Sequence, residues 1–194
     1  MGCMSDLDAQ LRERLLPVGG WAETDLRRAA VLCPILRREG RDQLLLGLRP
    51  MSSDAHAGQV AFPGGKVEGD ERPLETALRE CSEEVGMPPA LVTPLGELRP
   101  RVSTSRFHVH CVVARVAPFE LQLAPREVER TLFVPLDELR DPRRWQDRPP
   151  PGGHTGDQPP TSPQFEHGQD LIWGLTGRFV RDLVSRLGPP GAPR

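Results

Sequence analysis

Residues 65–87 read GKVEGDERPLETALRECSEEVGM, and the spacing within them organises the rest of the chain. Pro73 suits the first turn of a helix, and Gly86 followed by Pro88 and Pro89 ends one, so a helix is predicted over 73–85. At about 100° per residue, Leu74, Ala77, Leu78, Cys81 and Val85 fall in one stripe that must face a core. Glu80 and Glu84 lie at the edge of that stripe, and Glu83 stands about 60° further round from Glu80, so three carboxylates share a strip beside the buried face. Arg79, four residues before Glu83, is placed to pair with it.

Most glutamates on helices belong to a solvated face, but here the charge is crowded. Between Glu68 and Glu84 there are seven acids and only two bases, Arg72 and Arg79. Such a strip calls for cations, and a cluster of carboxylate oxygens suits Mg²⁺ or Mn²⁺. Just upstream, Phe62-Pro63-Gly64-Gly65-Lys66 pairs two glycines, which let backbone approach a ligand or metal closely. Lys66, the only lysine against 24 arginines, adds a cation at that loop.

Working outward, residues 29–36 and 43–49 are apolar runs separated by RREGRD, read as two antiparallel strands and a turn. Pro34 assigns the first of them to an edge or a bulge. From Pro50 to Gly65 only small and turn residues occur. Apolar segments at 91–98, 107–116 and 131–136 follow the helix, the middle one β-branched enough for a buried strand. Residues 149–163 hold nine Pro or Gly in fifteen positions and read as a mobile loop bordering a cleft. Residues 171–187 read as a short strand entering an amphipathic helix. Ser5 and Asp8, with Leu7, Leu11 and Leu15, predict an N-terminal helix over about 5–16. The expected class is α/β (α+β), in a single domain spanning 1–194.

A formal charge of −2 argues against a nonspecific nucleic-acid binder. The four cysteines form no C-x-x-C pair, which excludes a zinc ribbon or dithiol motif, and Cys33, Cys81 and Cys111 read as core residues in a reducing compartment. The N-terminal MGCMSDLDAQL lacks the regions of a secretory leader, and no run of about 20 apolar residues offers a membrane span. A cytoplasmic protein is expected, as a monomer or homodimer.

The stretch 65–87 resembles the Nudix box, G-x5-E-x7-R-E-U-x-E-E-x-G-U with U aliphatic. Gly65, Glu71, Arg79, Glu80, Glu83, Glu84, Gly86 and Met87 fall at its positions, and Cys81 stands where the family has a larger aliphatic residue. The resemblance implies an α/β/α sandwich around a mixed sheet, and hydrolysis of a nucleoside diphosphate linked to another group. It implies that Glu80 and Glu84 bind divalent metal, Mg²⁺ or Mn²⁺. Glu83 would be a further ligand or the residue that orients water, and Glu71 and Arg79 would brace loop and helix. A backbone carbonyl near Gly64 or Gly65 would complete the shell. Glu127 and Glu129 are candidates for a distal catalytic carboxylate.

Residues 45–65 are similar to the segment that marks coenzyme A diphosphatases, L-L-T-x-R-[SA]-x3-R-x3-G-x3-F-P-G-G. Leu45, Leu46, Arg49, Gly58, Phe62, Pro63, Gly64 and Gly65 match, while Gly47, Pro50 and Asp54 depart. The IWGLT at 172–176 also resembles that subfamily. The implied reaction splits coenzyme A into 3',5'-ADP and 4'-phosphopantetheine. Gly64, Gly65, Lys66, Arg49 and His56 are the expected substrate contacts; His108 and His110 are expected to be structural. Two other readings are ADP-ribose or another nucleoside diphosphate derivative as substrate, favoured by Asp54, and a non-catalytic nucleotide-sensing module, disfavoured by the intact glutamates.

Overall fold

The computed structural model describes residues 5–52, 57–151 and 160–187. The chain runs α1 (Asp6–Arg14), β1 (Arg27–Arg38), β2 (Arg41–Leu48), β3 (Val60–Ala61), β4 (Gly64–Lys66), α2 (Pro73–Val85), β5 (Val92–Val102), β6 (Phe107–Val116) and β7 (Arg130–Pro135). It continues with α3 (Leu136–Leu139), β8 (Trp145–Arg148), β9 (Ser162–His167), β10 (Asp170–Ile172) and α4 (Gly174–Leu187). Ser5 caps α1 by accepting the Asp8 N–H at 3.2 Å. The β1–β2 turn is made by Glu39 and Gly40, both at positive φ, which matches the twist of a tight hairpin.

Strands β1 to β7 form one mixed sheet. β6 runs parallel to β1, β5 runs antiparallel to β6, and β7 lines the far side of β2. β1 and β2 pair only near their hairpin, from Ile35↔Leu44 to Arg38↔Arg41. They then diverge, and residues 60–66 fill the gap, with β3 on β2 and β4 on β1. This wedge holds the glycine loop in the middle of the sheet. The sequence reading of Pro34 is corrected here: β1 is a central strand, bonded to β6 along Arg27–Leu36. Proline is accommodated because the Leu32 N–H bonds Pro63 O on the wedge side, so position 34, two residues on, turns its missing donor to that same side, where the ladder is interrupted. Strands β3 and β4 were not signalled in the turn-rich stretch before Gly65. Ser162 and Pro163, expected in the loop, begin β9 instead; residues 152–159 of that loop lie outside the described residues.

Alternating side chains of the sheet feed two cores. On one face Ala30, Leu32, Leu45, Val112 and Ala114 pack against Ala77, Cys81 and Val85 of α2. On the other Cys33, Ile35, Val109, Cys111 and Val113 meet Leu11 of α1 and Phe179, Val180 and Leu183 of α4. The result is an α/β/α layering. Cys33, Cys81 and Cys111 are buried and free, and His110 is buried with Nδ1 3.2 Å from Glu97 Oε2. A second antiparallel sheet, β10-β9-β8, packs on α4, with Gly177 so close to Pro163 O that a Cβ would sit 2.6 Å away. Arg115 ties layers together, bonding Asp8 of α1 at 2.6 Å and Asp42 of β2 at 2.7 Å. No described helix is long and apolar enough to cross a membrane.

Candidate functional site

The helix α2 runs beside the wedge because its apolar stripe docks on the sheet face, and this carries Glu80 and Glu84 to the glycine loop. Glu84 is 4% exposed, and its Oε2 accepts the Gly64 N–H at 3.0 Å. Burial pushes its carboxyl up to about 7, against the pull of the Gly64 N–H and of Arg49, whose Nη2 lies 3.9 Å away. Glu80 is also raised, by burial first, with Arg79 opposing at 3.2 Å. Its carboxylate lies against the Cα of Gly65, where a Cβ would stand 2.2 Å from Oε1. Glycine is required at that position by close approach.

A third carboxylate arrives from elsewhere. Gly86, at φ 68° and ψ 25°, ends α2 in the left-handed conformation, and the following segment folds back on the helix end. Gln122 N–H bonds Val85 O, and Ala124 N–H bonds Glu84 O, so carbonyls left open by the helix terminus are satisfied by this loop. The loop delivers Glu127, and ligand oxygens of Glu80, Glu84 and Glu127 lie within 4.8 Å of one another. An all-oxygen, acidic donor set of this kind fits a hard divalent cation. Glu129 instead leads into β7, its N–H bonding Leu48 O.

Arg79 and Glu71 form the brace. Arg79 donates to Glu71 through Nε at 2.7 Å, to Lys66 O at 2.9 Å and to Glu83 at 3.0 Å. The bond from Arg79 holds the Glu71 carboxyl below its ordinary range, with burial opposing it and the Glu68 N–H and Thr76 hydroxyl adding to the effect. Trp21 fixes the same loop from outside by donating its indole N–H to Glu71 O at 2.6 Å. Glu83 is 54% exposed, tied to Arg79, and stands outside the group of Glu80, Glu84 and Glu127.

These groups open into a cleft of about 750 Å³. Arg49, Gly64, Gly65, Lys66, Glu80, Glu84 and Glu127 line it together with Phe62, Trp173, Leu175 and Phe179. His56 and Asp54 lie outside the described residues. Sequence reasoning passed over Arg27, Phe107, Ser162 and Arg178, which also line the cleft; none belongs to a motif, and only the fold collects them.

The NUDIX domain family matches residues 26–151. The chain belongs to the Nudix family. The Nudix hydrolase NudL of Citrobacter koseri, itself uncharacterised, is 37% identical over 165 residues, covering 84% of this chain and 83% of the relative. Among solved structures, the MutT protein of Methanosarcina mazei Go1 superposes with a TM-score of 0.51 at 20% identity, over 84% of this chain and 95% of its own. An Ap4A hydrolase of C. elegans does so with a TM-score of 0.50 at 22% identity, over 57% and 81% respectively. As a Nudix hydrolase, the chain cleaves a phosphoanhydride in a nucleoside diphosphate derivative, chemistry for which this family generally needs divalent metal ions.

Proposed function

We propose that this chain is a coenzyme A diphosphatase that uses Mg²⁺ or Mn²⁺. Water adds its oxygen to one phosphorus, the bridging P–O bond breaks, and two phosphomonoesters leave, 3',5'-ADP and 4'-phosphopantetheine. The observation that carries this reading is a convergence. The two segments that resemble coenzyme A diphosphatases, 45–65 and 172–176, are far apart in sequence, yet Arg49, Phe62, Gly64, Gly65, Trp173, Gly174, Leu175 and Thr176 line one cleft with the carboxylates.

Glu80, Glu84 and Glu127 would hold the metal, which when bound neutralises the diphosphate and makes hydroxide available near neutral pH. Arg49, whose Nη2 lies 3.9 Å from Glu84 Oε1, is assigned to the diphosphate. The Gly64 N–H fixes the Glu84 carboxylate, and Gly65 leaves room for Glu80. Arg79, Glu71 and Glu83 hold loop and helix in register, which is positioning rather than bond-making; Glu83 acts through Arg79. The apolar walls at Phe62, Trp173 and Leu175 suit the pantetheine arm.

The test is a panel of coenzyme A, ADP-ribose and dinucleotides incubated with Mg²⁺ or Mn²⁺, with products identified by chromatography. Coenzyme A should be turned over at the highest kcat/KM, releasing 3',5'-ADP. A rate no better than that on ADP-ribose overturns the coenzyme A assignment, and absence of any turnover overturns the catalytic reading in favour of a sensing module.

A further inference from the structure

Successive residues of a strand point to opposite faces. A Cβ on Gly65 would point at Glu80, so Lys66 turns away from the metal-site carboxylates to the other side of β4. There its Nζ lies 5.9 Å from the centre of the Phe107 ring, and the Arg27 guanidinium lies over the same ring at 4.1 Å. The pairing of β1 with β4 and with β6 brings the three together, through Ala29↔Lys66 and Arg27↔Phe107. Arg27 is anchored by donating to Ser105 O at 2.9 Å. Among the described residues neither Arg27 nor Lys66 has a carboxylate within 4.0 Å, whereas arginines such as Arg41, Arg79, Arg115, Arg130 and Arg181 do. Arg178 enters the same cleft from α4, also without a carboxylate partner among the described residues, and burial and the neighbouring Arg101 push its guanidinium below the ordinary value.

The cleft therefore has two charge environments on either side of β4. One is acidic and suited to metal and diphosphate. The other is cationic, with an aromatic ring at its centre and no carboxylate within 4.0 Å of Arg27 or Lys66 among the described residues; the nearest acid in sequence that lines the cleft is Glu68.

We infer that Arg27 and Lys66, around Phe107, form a subsite for a second phosphate of the substrate, a phosphomonoester on the ribose, separate from the diphosphate that is cleaved. This rests on the diphosphatase reading above and names the part of the substrate that the cationic end takes. Exposed arginine and lysine side chains recognise a dianionic phosphate through charge-assisted hydrogen bonds. A nucleotide lacking that phosphate forfeits them and leaves two like charges facing each other.

The experiment uses the full chain with 3',5'-ADP and 5'-AMP as calorimetric ligands, alongside kcat/KM for coenzyme A and 3'-dephospho-coenzyme A. The wild type should bind 3',5'-ADP about tenfold or more tighter than 5'-AMP at low salt. Arg27→Gln and Lys66→Met should each collapse that ratio toward one, and Arg27→Lys should restore part of it. The ratio of kcat/KM for the two coenzymes should collapse in parallel. Both side chains are exposed, and an unchanged melting temperature shows that the fold is intact. A wild type that does not discriminate the two ligands, or variants that weaken both alike, overturns the subsite. Discrimination by a wild type that does not favour coenzyme A over ADP-ribose refutes the coenzyme A assignment alone. Preference for coenzyme A with an unaltered ratio in both variants refutes the subsite alone.

Discussion

Gly64 and Gly65 are adjacent, but alanine at the two positions should fail in different ways. At Gly65 the three atoms nearest to a new Cβ all belong to the end of the Glu80 side chain, with Oε1 2.2 Å and the carboxyl carbon 2.4 Å away. A side-chain terminus yields cheaply, so Glu80 must retreat by about 1 Å, and a displacement of that size at a reacting centre costs about 10²-fold in rate. At about 1.36 kcal/mol per decade, this is about 2.7 kcal/mol in the barrier. Replacing glycine also restricts the unfolded chain by about 0.4–1 kcal/mol, which offsets part of the strain. At Gly64 the situation is reversed. Its φ is +149°, and a Cβ would stand 2.4 Å from Ala30 O and 2.5 Å from Val31 Cα, backbone atoms of the central strand that cannot move alone. Strain there is expected to cost about 3 kcal/mol or more. The assay pairs steady-state hydrolysis of coenzyme A with thermal unfolding followed by circular dichroism. Gly65→Ala should lose about 10²-fold in kcat with a melting temperature within about 3 °C of wild type, whereas Gly64→Ala should melt about 6–12 °C lower. A Gly65→Ala variant with kcat within threefold of wild type would falsify the placement of Glu80 at the reacting centre.

Removal of metal with a chelator should abolish turnover while leaving the far-ultraviolet spectrum intact. Added Mg²⁺ or Mn²⁺ at a hundredfold excess over Kd should stabilise the protein by about 2.7 kcal/mol. Glu84→Gln and Glu127→Gln should each shrink that gain, and an undiminished shift in both argues against the carboxylate cluster as the binding site. Breaking the Asp8–Arg115–Asp42 bridge by Arg115→Ala strips the buried Asp8 carboxylate of its cation, while Asp42 keeps Arg37 at 3.4 Å. A loss of about 3 kcal/mol in chemical denaturation is expected. The Glu71 carboxyl is held low by Arg79, so its contribution to stability is complete above the ordinary carboxylate value of 4.5 and is lost as pH falls through its lower folded value. Wild type and Glu71→Gln should therefore differ in unfolding free energy at neutral pH and converge in acid; a constant difference down to strongly acidic pH counts against the ion pair.

The helix and its acidic strip were readable because local periodicity and punctuation determine them: Pro73 and Gly86 bound the helix, and every third or fourth residue from Leu74 to Val85 is apolar. Strands β1, β2, β5, β6, β7 and β10 were readable as apolar runs for the same reason. Strands β3 and β4 were not, since they are two and three residues long, rich in glycine, and exist only because β1 and β2 diverge and leave a gap. Pro34 misled for a related reason. Its missing donor is harmless where the ladder is interrupted, which depends on the wedge and not on the residues beside it.

The carboxylate set shows the same division. Glu80 and Glu84 share a helix, so their four-residue spacing places them together whatever the rest of the chain does. Glu83 has the same local credentials but turns outward to Arg79. Glu127 takes the third position because a loop 40 residues downstream caps the open carbonyls of α2. By itself the sequence determined the helix, the carboxylates it carries, the glycine loop and the family those residues belong to, because all are contiguous or helically spaced. The tertiary structure alone decided which third carboxylate joins them, and which arginines face the cleft without a carboxylate within 4.0 Å among the described residues. Those outcomes depend on strand pairing between residues as distant as Arg27, Lys66 and Phe107, a long-range register that local spacing does not encode.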